Sequence, residues 1–521
     1  MALGAAILAS ELLGRRLRLA PPVLLLASGV ALGFIPALRG VSLPPQAVLL
    51  LFLPALLYWE TLTTSLRDVR RDLRGIILLS TLLVIATAGA VAATVHALGL
   101  PWGPAWVLGG ALAPTDATAA GALARVLPPR AVTLLRAESL VNDGTALVIY
   151  GLAVGITVGE EHFTFLHVSW LFLRAYVGGA AAGAAVAWLI TQVRHRVTDP
   201  LLGNVGMVMV PFAAYLIAES IGASGVLAVV VCGLIMSQVG PRIGSADARM
   251  QAAGFWSLAT FLLNGALFVL VGLQAQSSVR DLTSFDLARA LIAVLVVCAV
   301  LIVVRFAFQM TAVYLIRALD RRPQQRARRV SHRFRVVSAL AGFRGAVSLA
   351  AALAVPETLH SGAPFPGRDV IVFVTFGVIV VTLVAQVLAL PGVVRRTHLP
   401  QQDPTGERER HLAEVLATEE AIAAMPRVAA ELGTDPEVLD RMRREYDRRL
   451  RLMQAHGEES EDEAAVRYDR HYTALRRALL ARKRATVIRL RDERRIDDGV
   501  LREIQARLDI EEVRLSGVNG S

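Results

Sequence analysis

The sequence predicts an all-α membrane protein of about 13 transmembrane helices followed by a soluble helical tail. Three observations carry that prediction. Hydrophobic residues fill 55% of the 521 positions and mean hydropathy is +0.53, more than the core of a soluble chain of this length demands. Windows such as Ile76 to Val95 and Val370 to Val394 run without a charge for the roughly 20 residues a helix needs to cross a bilayer. From about Leu399 onward the composition turns charged and rich in Ala and Leu, with no apolar run. The expected organisation is therefore a transmembrane domain over residues 1–398 and a soluble tail over 399–521.

In chain order the apolar segments centre near Leu8, Ala27, Pro54, Ala86, Ala113, Ala146, Ala180, Pro211, Val229, Leu263, Val297, Ser348 and Val380. Their length and periodicity fit α-helices and not the alternating pattern of a β-barrel. Met1 to Gly14 has no basic leader and no small-residue cleavage site, so it reads as a short span and not as a removable signal.

The loops set the orientation. Numbered in order, the odd loops carry Arg15, Arg16 and Arg18, then Arg67, Arg70, Arg71 and Arg74, then Arg125 and Arg130, later Arg194, Arg196, Arg242 and Arg249, and finally the dense run from Arg317 to Arg335. The even loops hold Arg39, Arg280 and Arg368, along with Glu160, Glu161 and Glu219. That alternation puts the odd loops and the C-terminus in the cytoplasm and, if the first segment spans, the N-terminus outside. It also accounts for the formal net charge of +11: the basic residues lie in short loops and in the tail, which argues for membrane topology and against nucleic acid. The acidic stretch from Glu458 to Glu463 and the basic run Arg441 to Arg451 read as solvated helical surface.

Two segments carry breakers. Gly109, Gly110 and Pro114 interrupt the fifth, where the proline lacks an N–H and disturbs the carbonyl four residues back. Gly342-Phe343-Arg344-Gly345 interrupts the twelfth. One interrupted span in each half of the chain points to an inverted-repeat secondary transporter with its site near the bilayer midplane.

Acidic residues fall at these same places. Pro114-Thr115-Asp116 lies in the fifth segment, and Glu138-Ser139 with Asn142-Asp143 opens the sixth. A carboxylate in the hydrocarbon zone costs at least ~2.5 kcal/mol, so it persists where it faces protein or water and has work to do. Asp143 lies four residues after Ser139, and Asn142 four after Glu138, so a helix stacks them as two pairs on one polar face. With Thr115 and Asp116 they offer oxygen ligands, which suit a small hard cation. Asp116 also fits as an N-cap for the second half of a broken helix, and Asn142 as an interhelical hydrogen-bonding residue.

Glu138, Arg305 and Arg344 form a second set. Buried charges pair, so Glu138 is expected to meet Arg305 while Arg344 neutralises a negative half-helix end. Glu60, in Tyr58-Trp59-Glu60-Thr61, reads either as a snorkelled surface carboxylate or as part of an ion pathway. Cys232 and Cys298 lie in apolar segments and read as packing residues, and His96, His162, His167 and His195 have no metal-ligand spacing. Phosphate loops, nucleophile elbows and zinc motifs are absent from the sequence, and no ATP or redox cofactor is expected.

Taken together, Ala113-Pro114-Thr115-Asp116-Ala117, Glu138-Ser139-Leu140-Val141-Asn142-Asp143-Gly144 and Gly342-Phe343-Arg344-Gly345-Ala346-Val347-Ser348-Leu349 resemble the sodium/proton exchanger branch of the monovalent cation:proton antiporter superfamily. Pro54-Ala55-Leu56-Leu57 and Phe261-Leu262-Leu263-Asn264-Gly265 extend the resemblance over roughly residues 10 to 395, while the context of Glu60 departs from the family pattern. The resemblance implies a homodimer with a dimerisation subdomain and a mobile core, in which two discontinuous helices cross and move by an elevator motion. It implies Na⁺ and H⁺ competing at Asp143, with Thr115, Asp116 and Ser139 as neighbouring ligands and Glu138 bridged to Arg305. An Asn-Asp pair at 142 and 143 implies electroneutral one-for-one exchange, in the service of pH and sodium homeostasis at the cell membrane.

A carboxylate so placed holds a proton or a cation but not both, and that competition couples the two fluxes. If the empty charged core is too costly to carry past lipid, only loaded forms move. Other readings compete with Na⁺/H⁺ exchange. A K⁺- or Li⁺-selective antiporter of the same fold needs only different cavity dimensions. A cation channel needs a carbonyl or acidic-ring filter, which Glu138, Arg305 and Arg344 do not make, and an intramembrane aspartyl protease needs a Gly-x-Gly-Asp element that the chain lacks.

Overall fold

The computed structural model describes residues 1–17, 21–36, 48–64, 66–116, 129–159, 164–197, 199–243, 245–319, 332–342, 344–397, 404–457, 463–493, 495 and 498–517. Arg18, Arg39, Ala117, Arg125, Glu160, Glu161, His162, residues 320–331 of the basic run, Phe343 and residues 458–462 lie outside the described residues. The chain divides into two compact units, Met1–Gln402 and Asp403–Ser521.

Among its described residues the first unit is built mainly of helices. It runs α1 (Ala2–Leu17), α2 (Pro21–Gly33), a π-helical turn (Val48–Phe52) continuing into α3 (Leu53–Leu62), α4 (Leu66–Ala97), α5 (Trp102–Leu112) and α6 (Pro129–Val158). Next come α7 (Phe165–Leu173), a second π-helical turn (Arg174–Gly178), α8 (Gly179–Arg194), α9 (Pro200–Ser220), α10 (Gly225–Ile243), α11 (Ala246–Leu273) and α12 (Ala275–Arg280). The unit closes with α13 (Leu287–Leu319), α14 (His332–Leu340), α15 (Ala346–Leu353) and α16 (Arg368–Thr397).

Among the described residues, seven helical stretches are long and apolar enough to cross a membrane, and Pro21–Gly33, Leu49–Leu62 and Gly225–Gly240 are shorter apolar helices. The fifth and twelfth apolar segments are not continuous helices: α5 stops at Leu112, and residues 341–345 separate α14 from α15. Local chemistry sets other ends. Asp199 caps α9 by accepting from the Leu201 and Leu202 amides at 2.7 and 3.2 Å, with Pro200 at the first helical position. Ser245 caps α11 through the Ala248 amide at 3.2 Å.

Lipid tails are as apolar as leucine, so close packing rather than burial from water holds such helices together. Glycines permit it. A Cβ on Gly29 of α2 would collide with the Val269 carbonyl of α11, and one on Gly272 of α11 with the Leu26 carbonyl, so these two helices meet backbone to backbone. Gly109 of α5 sits in the same way against Ala88 of α4. Leu295, Val303 and Phe306 of α13 and Trp188 of α8 stay exposed, the pattern of a lipid-facing surface.

Buried side chains form three large clusters. One joins α1, α2, α11 and α14–α16; a second joins α4, α5, α13 and α16; a third joins α3, α8, α9 and α10. The site helix α6 packs chiefly on α4 and α5, whereas α3 packs chiefly on α9, α10 and α11. The boundary between these two groups of helices is a seam beside α6, across which Arg136 of α6 and Glu60 of α3 approach to 3.8 Å.

The second unit contains α17 (Pro404–Leu432), α18 (Pro436–Gly457), α19 (Glu463–Asp492) and α20 (Asp498–Gly517). Helix α17 turns into α18 at Gly433, whose φ of +64° lies in the left-handed region that glycine enters freely, and Asp435 caps α18 through the Glu437 amide at 2.8 Å. Helices α19 and α20 pair through Leu480, Ile504 and Leu508, with Arg484 reaching Asp509 at 2.5 Å and Glu512 at 2.6 Å.

Candidate ion site between two chain breaks

Helix α5 ends where Gly109, Gly110 and Pro114 predict a break, and the chain then runs irregularly through Ala113–Asp116. The Ser139 hydroxyl of α6 donates to the freed Thr115 carbonyl. The Asn142 amide donates to the Thr115 hydroxyl at 3.1 Å. Thr115, Ser139, Asn142 and Asp143 are all buried, and Asp116 is half-buried. Thus the polar face of α6 is clasped to the break, and the second half of the broken fifth segment lies outside the described residues.

Asp143 sits one turn beyond Ser139 on this face, at 5% exposure. Among the described residues no donor hydrogen-bonds to its carboxylate, and the Asn142 Oδ1 beside it is likewise unpartnered. The carboxylates of Asp143, Asp116 and Glu60 lie within electrostatic reach of one another. A buried carboxylate that receives no hydrogen bond among the described residues, with further oxygens near it, is what a small cation or a proton binds. Among the described residues no group of three or more His, Cys, Asp and Glu side chains is arranged to hold a metal ion, so hydroxyl, amide and backbone oxygens must complete any coordination.

The second break meets the first. A Cβ on Gly345 would occupy the position of the Asp116 carboxylate, which fixes how closely the two irregular segments approach. Arg344, buried at 3% exposure, donates from Nε to the Leu112 carbonyl at the end of α5 (3.0 Å) and from Nη1 to the Gly342 carbonyl just beyond α14 (2.6 Å). One guanidinium therefore answers the negative ends of two interrupted helices. Gln386 of α16 adds a 3.1 Å bond to the same Gly342 carbonyl.

Glu138 pairs with a different helix. Its Oε1 lies 2.9 Å from Arg305 Nη2 of α13, and Arg305 Nε also donates to the Ser338 carbonyl of α14 at 3.2 Å. Glu60, at the end of α3, lies 3.8 Å from Arg136 of α6, so the structure sets it in the seam and not on the lipid surface.

Sequence reading misses three features. Arg136 gives no signal of its own, since its partner sits on α3 and is distant in the chain. Arg335 reads as part of a basic loop, yet it is buried at 3% exposure in α14. Tyr176, placed by the π-helical turn after α7, hydrogen-bonds with Thr145 of α6 two residues beyond Asp143; short π segments are enriched at functional sites, but the sequence does not announce this one.

The other residues stay apart from the site. His96 Nδ1 contacts the Leu100 carbonyl at 2.8 Å and its ring stacks on Trp102, His195 is exposed, and Cys232 and Cys298 are buried free thiols.

The chain is similar to several known proteins. Residues 2–396 match the family model described as "Sodium/hydrogen exchanger, transmembrane". An uncharacterised Na⁺/H⁺ exchanger of Mycobacterium tuberculosis is 44% identical over 517 residues, covering 99% of this chain and 95% of that protein. A sodium, potassium, lithium and rubidium/H⁺ antiporter of Bacillus pumilus is 32% identical over 405 residues, covering 74% of this chain and 60% of that protein. In fold, the sodium proton antiporter MjNhaP1 of Methanocaldococcus jannaschii superposes with a TM-score of 0.57 at 18% identity, covering 76% of this chain and 97% of that one.

Proposed function

We propose an ion-exchange mechanism from one premise: this chain belongs to the sodium/hydrogen exchanger family. It is a multi-pass membrane transporter of the cation/proton antiport class, not an enzyme. In our reading the exchanged ions are Na⁺ and H⁺, and they compete at Asp143, with Thr115, Asp116 and Ser139 supplying further oxygens to Na⁺.

One observation carries this reading: a buried carboxylate with no donor among the described residues, flanked by a hydroxyl, a freed carbonyl and an amide oxygen. In that setting Asp143 is neutralised by a proton or by Na⁺ in turn, and the empty anion is the form that cannot cross the lipid-facing barrier. Exchange is then one for one and electroneutral, driven by the two ion gradients without a cofactor. Glu138, Arg305 and Arg344 form the fixed frame of a core that moves as an elevator within a homodimer. Asn142 orients the site through Thr115. In this scheme residues 1–398 are the 13-span transporter of the cell membrane with inverted repeats and crossing discontinuous helices. Residues 399–521 are its cytoplasmic tail, the N-terminus lies outside, and the physiological task is pH and sodium homeostasis.

The name of the Bacillus pumilus relative favours a second reading, in which K⁺ and Li⁺ are also carried. Purified protein in liposomes, assayed with Na⁺, K⁺ and Li⁺ across pH and with the membrane potential clamped or free, separates the two. Competition at one carboxylate requires the apparent KM for the cation to rise as pH falls, because protons then occupy the site. A cation flux independent of protons would overturn exchange, and a rate that follows the clamped potential would overturn electroneutrality.

A further inference from the structure

Arg136 has no place in the exchange scheme above, yet it stands at the head of the site. It precedes Ser139 by three residues and Asp143 by seven, so on α6 the three side chains share one strip, with Arg136 roughly 10 Å from Asp143 along the axis. Its Nε approaches Glu60 Oε1 at 3.8 Å, beyond hydrogen-bonding distance, and the side chains are 32% and 12% exposed. The contact crosses the seam, since α3 packs chiefly with α9–α11 and α6 chiefly with α4 and α5. A loose, half-exposed pair of this kind is weak and easily parted. The 2.9 Å contact of Arg305 with Glu138 is its opposite: tight, with the arginine buried, and backed by a carbonyl.

Glu60 is the carboxylate on the far side of the seam that lies within electrostatic reach of both Asp116 and Asp143. A cation nearing Asp143 along the α6 strip meets Glu60 as an attraction and Arg136 as a repulsion, and Glu60, the more buried of the two, is the less screened. We propose that Arg136 is a tethered counter-cation that occupies Glu60 and thereby sets the affinity of the site for the transported cation. Arg136 touches neither the cation nor Asp143; it is a positioning residue that acts through Glu60. The proposal rests on the cation site being the one around Asp143.

The test uses the full-length protein and two readouts. One is the KM for Na⁺ in liposome exchange; the other is the Na⁺ concentration at half-maximal thermal stabilisation in detergent, which needs binding but no transport. Arg136→Gln is expected to lower both about threefold, the effect of removing one partner of a half-exposed pair, with kcat changing less than KM. Arg136→Met serves as a second neutral variant if the first folds poorly, and Arg136→Lys should behave as the parent does. Glu60→Gln should raise both values, and in its background Arg136→Gln should have no further effect. Unchanged or weakened Na⁺ binding in Arg136→Gln, or an equal shift with and without Glu60, overturns the proposal. Absence of exchange in the parent protein with the binding shift intact would instead overturn the exchange reading and leave the role of Arg136 standing.

Discussion

Two sets of buried polar groups share α6 and differ in how their charge is answered. Glu138 faces an arginine at 2.9 Å, and that arginine is itself anchored to the Ser338 carbonyl. Asp143, five residues on, is buried without a donor among the described residues. An answered charge stabilises a structure and is a poor ligand, because a visiting ion would have to displace a covalently tethered one. An unanswered charge destabilises the empty protein and so favours whatever binds it. The contrast separates frame from site without reference to sequence similarity.

Substitutions can break this comparison. The largest expected effect is on activity: Asp143→Asn should reduce cation-dependent proton movement in everted vesicles to background while leaving thermal stability in detergent within about 1 kcal/mol, since no bond within the described structure is lost. Full exchange in a folded Asp143→Asn protein would remove Asp143 from the site. Next comes stability. Arg305→Ala strands Glu138 without its partner and should cost about 3 kcal/mol, read as lower folded yield and a lower melting temperature. Adding Glu138→Ala should recover much of that loss, and equal melting of single and double variants would argue against the pair.

The smallest effect tests the border between the two sets. Ser139→Ala removes an oxygen from the cation's surroundings and frees the Thr115 carbonyl, so KM for Na⁺ should rise about three- to tenfold with little change in melting. A large drop in melting with unchanged KM would move Ser139 into the frame.

The fold class was legible because apolar length and the composition change at about Leu399 are one-dimensional signals. So were the chain breaks, since Gly109, Gly110, Pro114, Gly342 and Gly345 mark them locally. The stacking of Ser139 under Asp143 followed from helical spacing. Contacts between distant segments were mostly not legible: the cost of unpaired buried charge points Glu138 to Arg305, but nothing near Arg344 announces that its second acceptor is the Leu112 carbonyl, 232 residues away. Arg136 and Arg335 were masked for the same reason, as each looks like an ordinary loop arginine until the helix facing it is known. Tyr176 was hidden by a π-helical turn, whose extra residue shifts the side chain out of ordinary helical register.

The Arg344 contact has a consequence for biogenesis. The oxygens of the site come from residues 115–143, while the guanidinium groups that answer Glu138 and the end of α5 come from Arg305 and Arg344. A chain emerging N-terminus first thus delivers the negative half of its centre to the bilayer well before the positive half exists. Until the eleventh segment arrives Glu138 lacks its counter-charge, and until the twelfth arrives the Leu112 carbonyl lacks its guanidinium donor, so the early helices have reason to stay near water or a membrane chaperone. Arrival of Arg344 then closes both breaks with one side chain, so the centre is assembled only once the twelfth segment has been made.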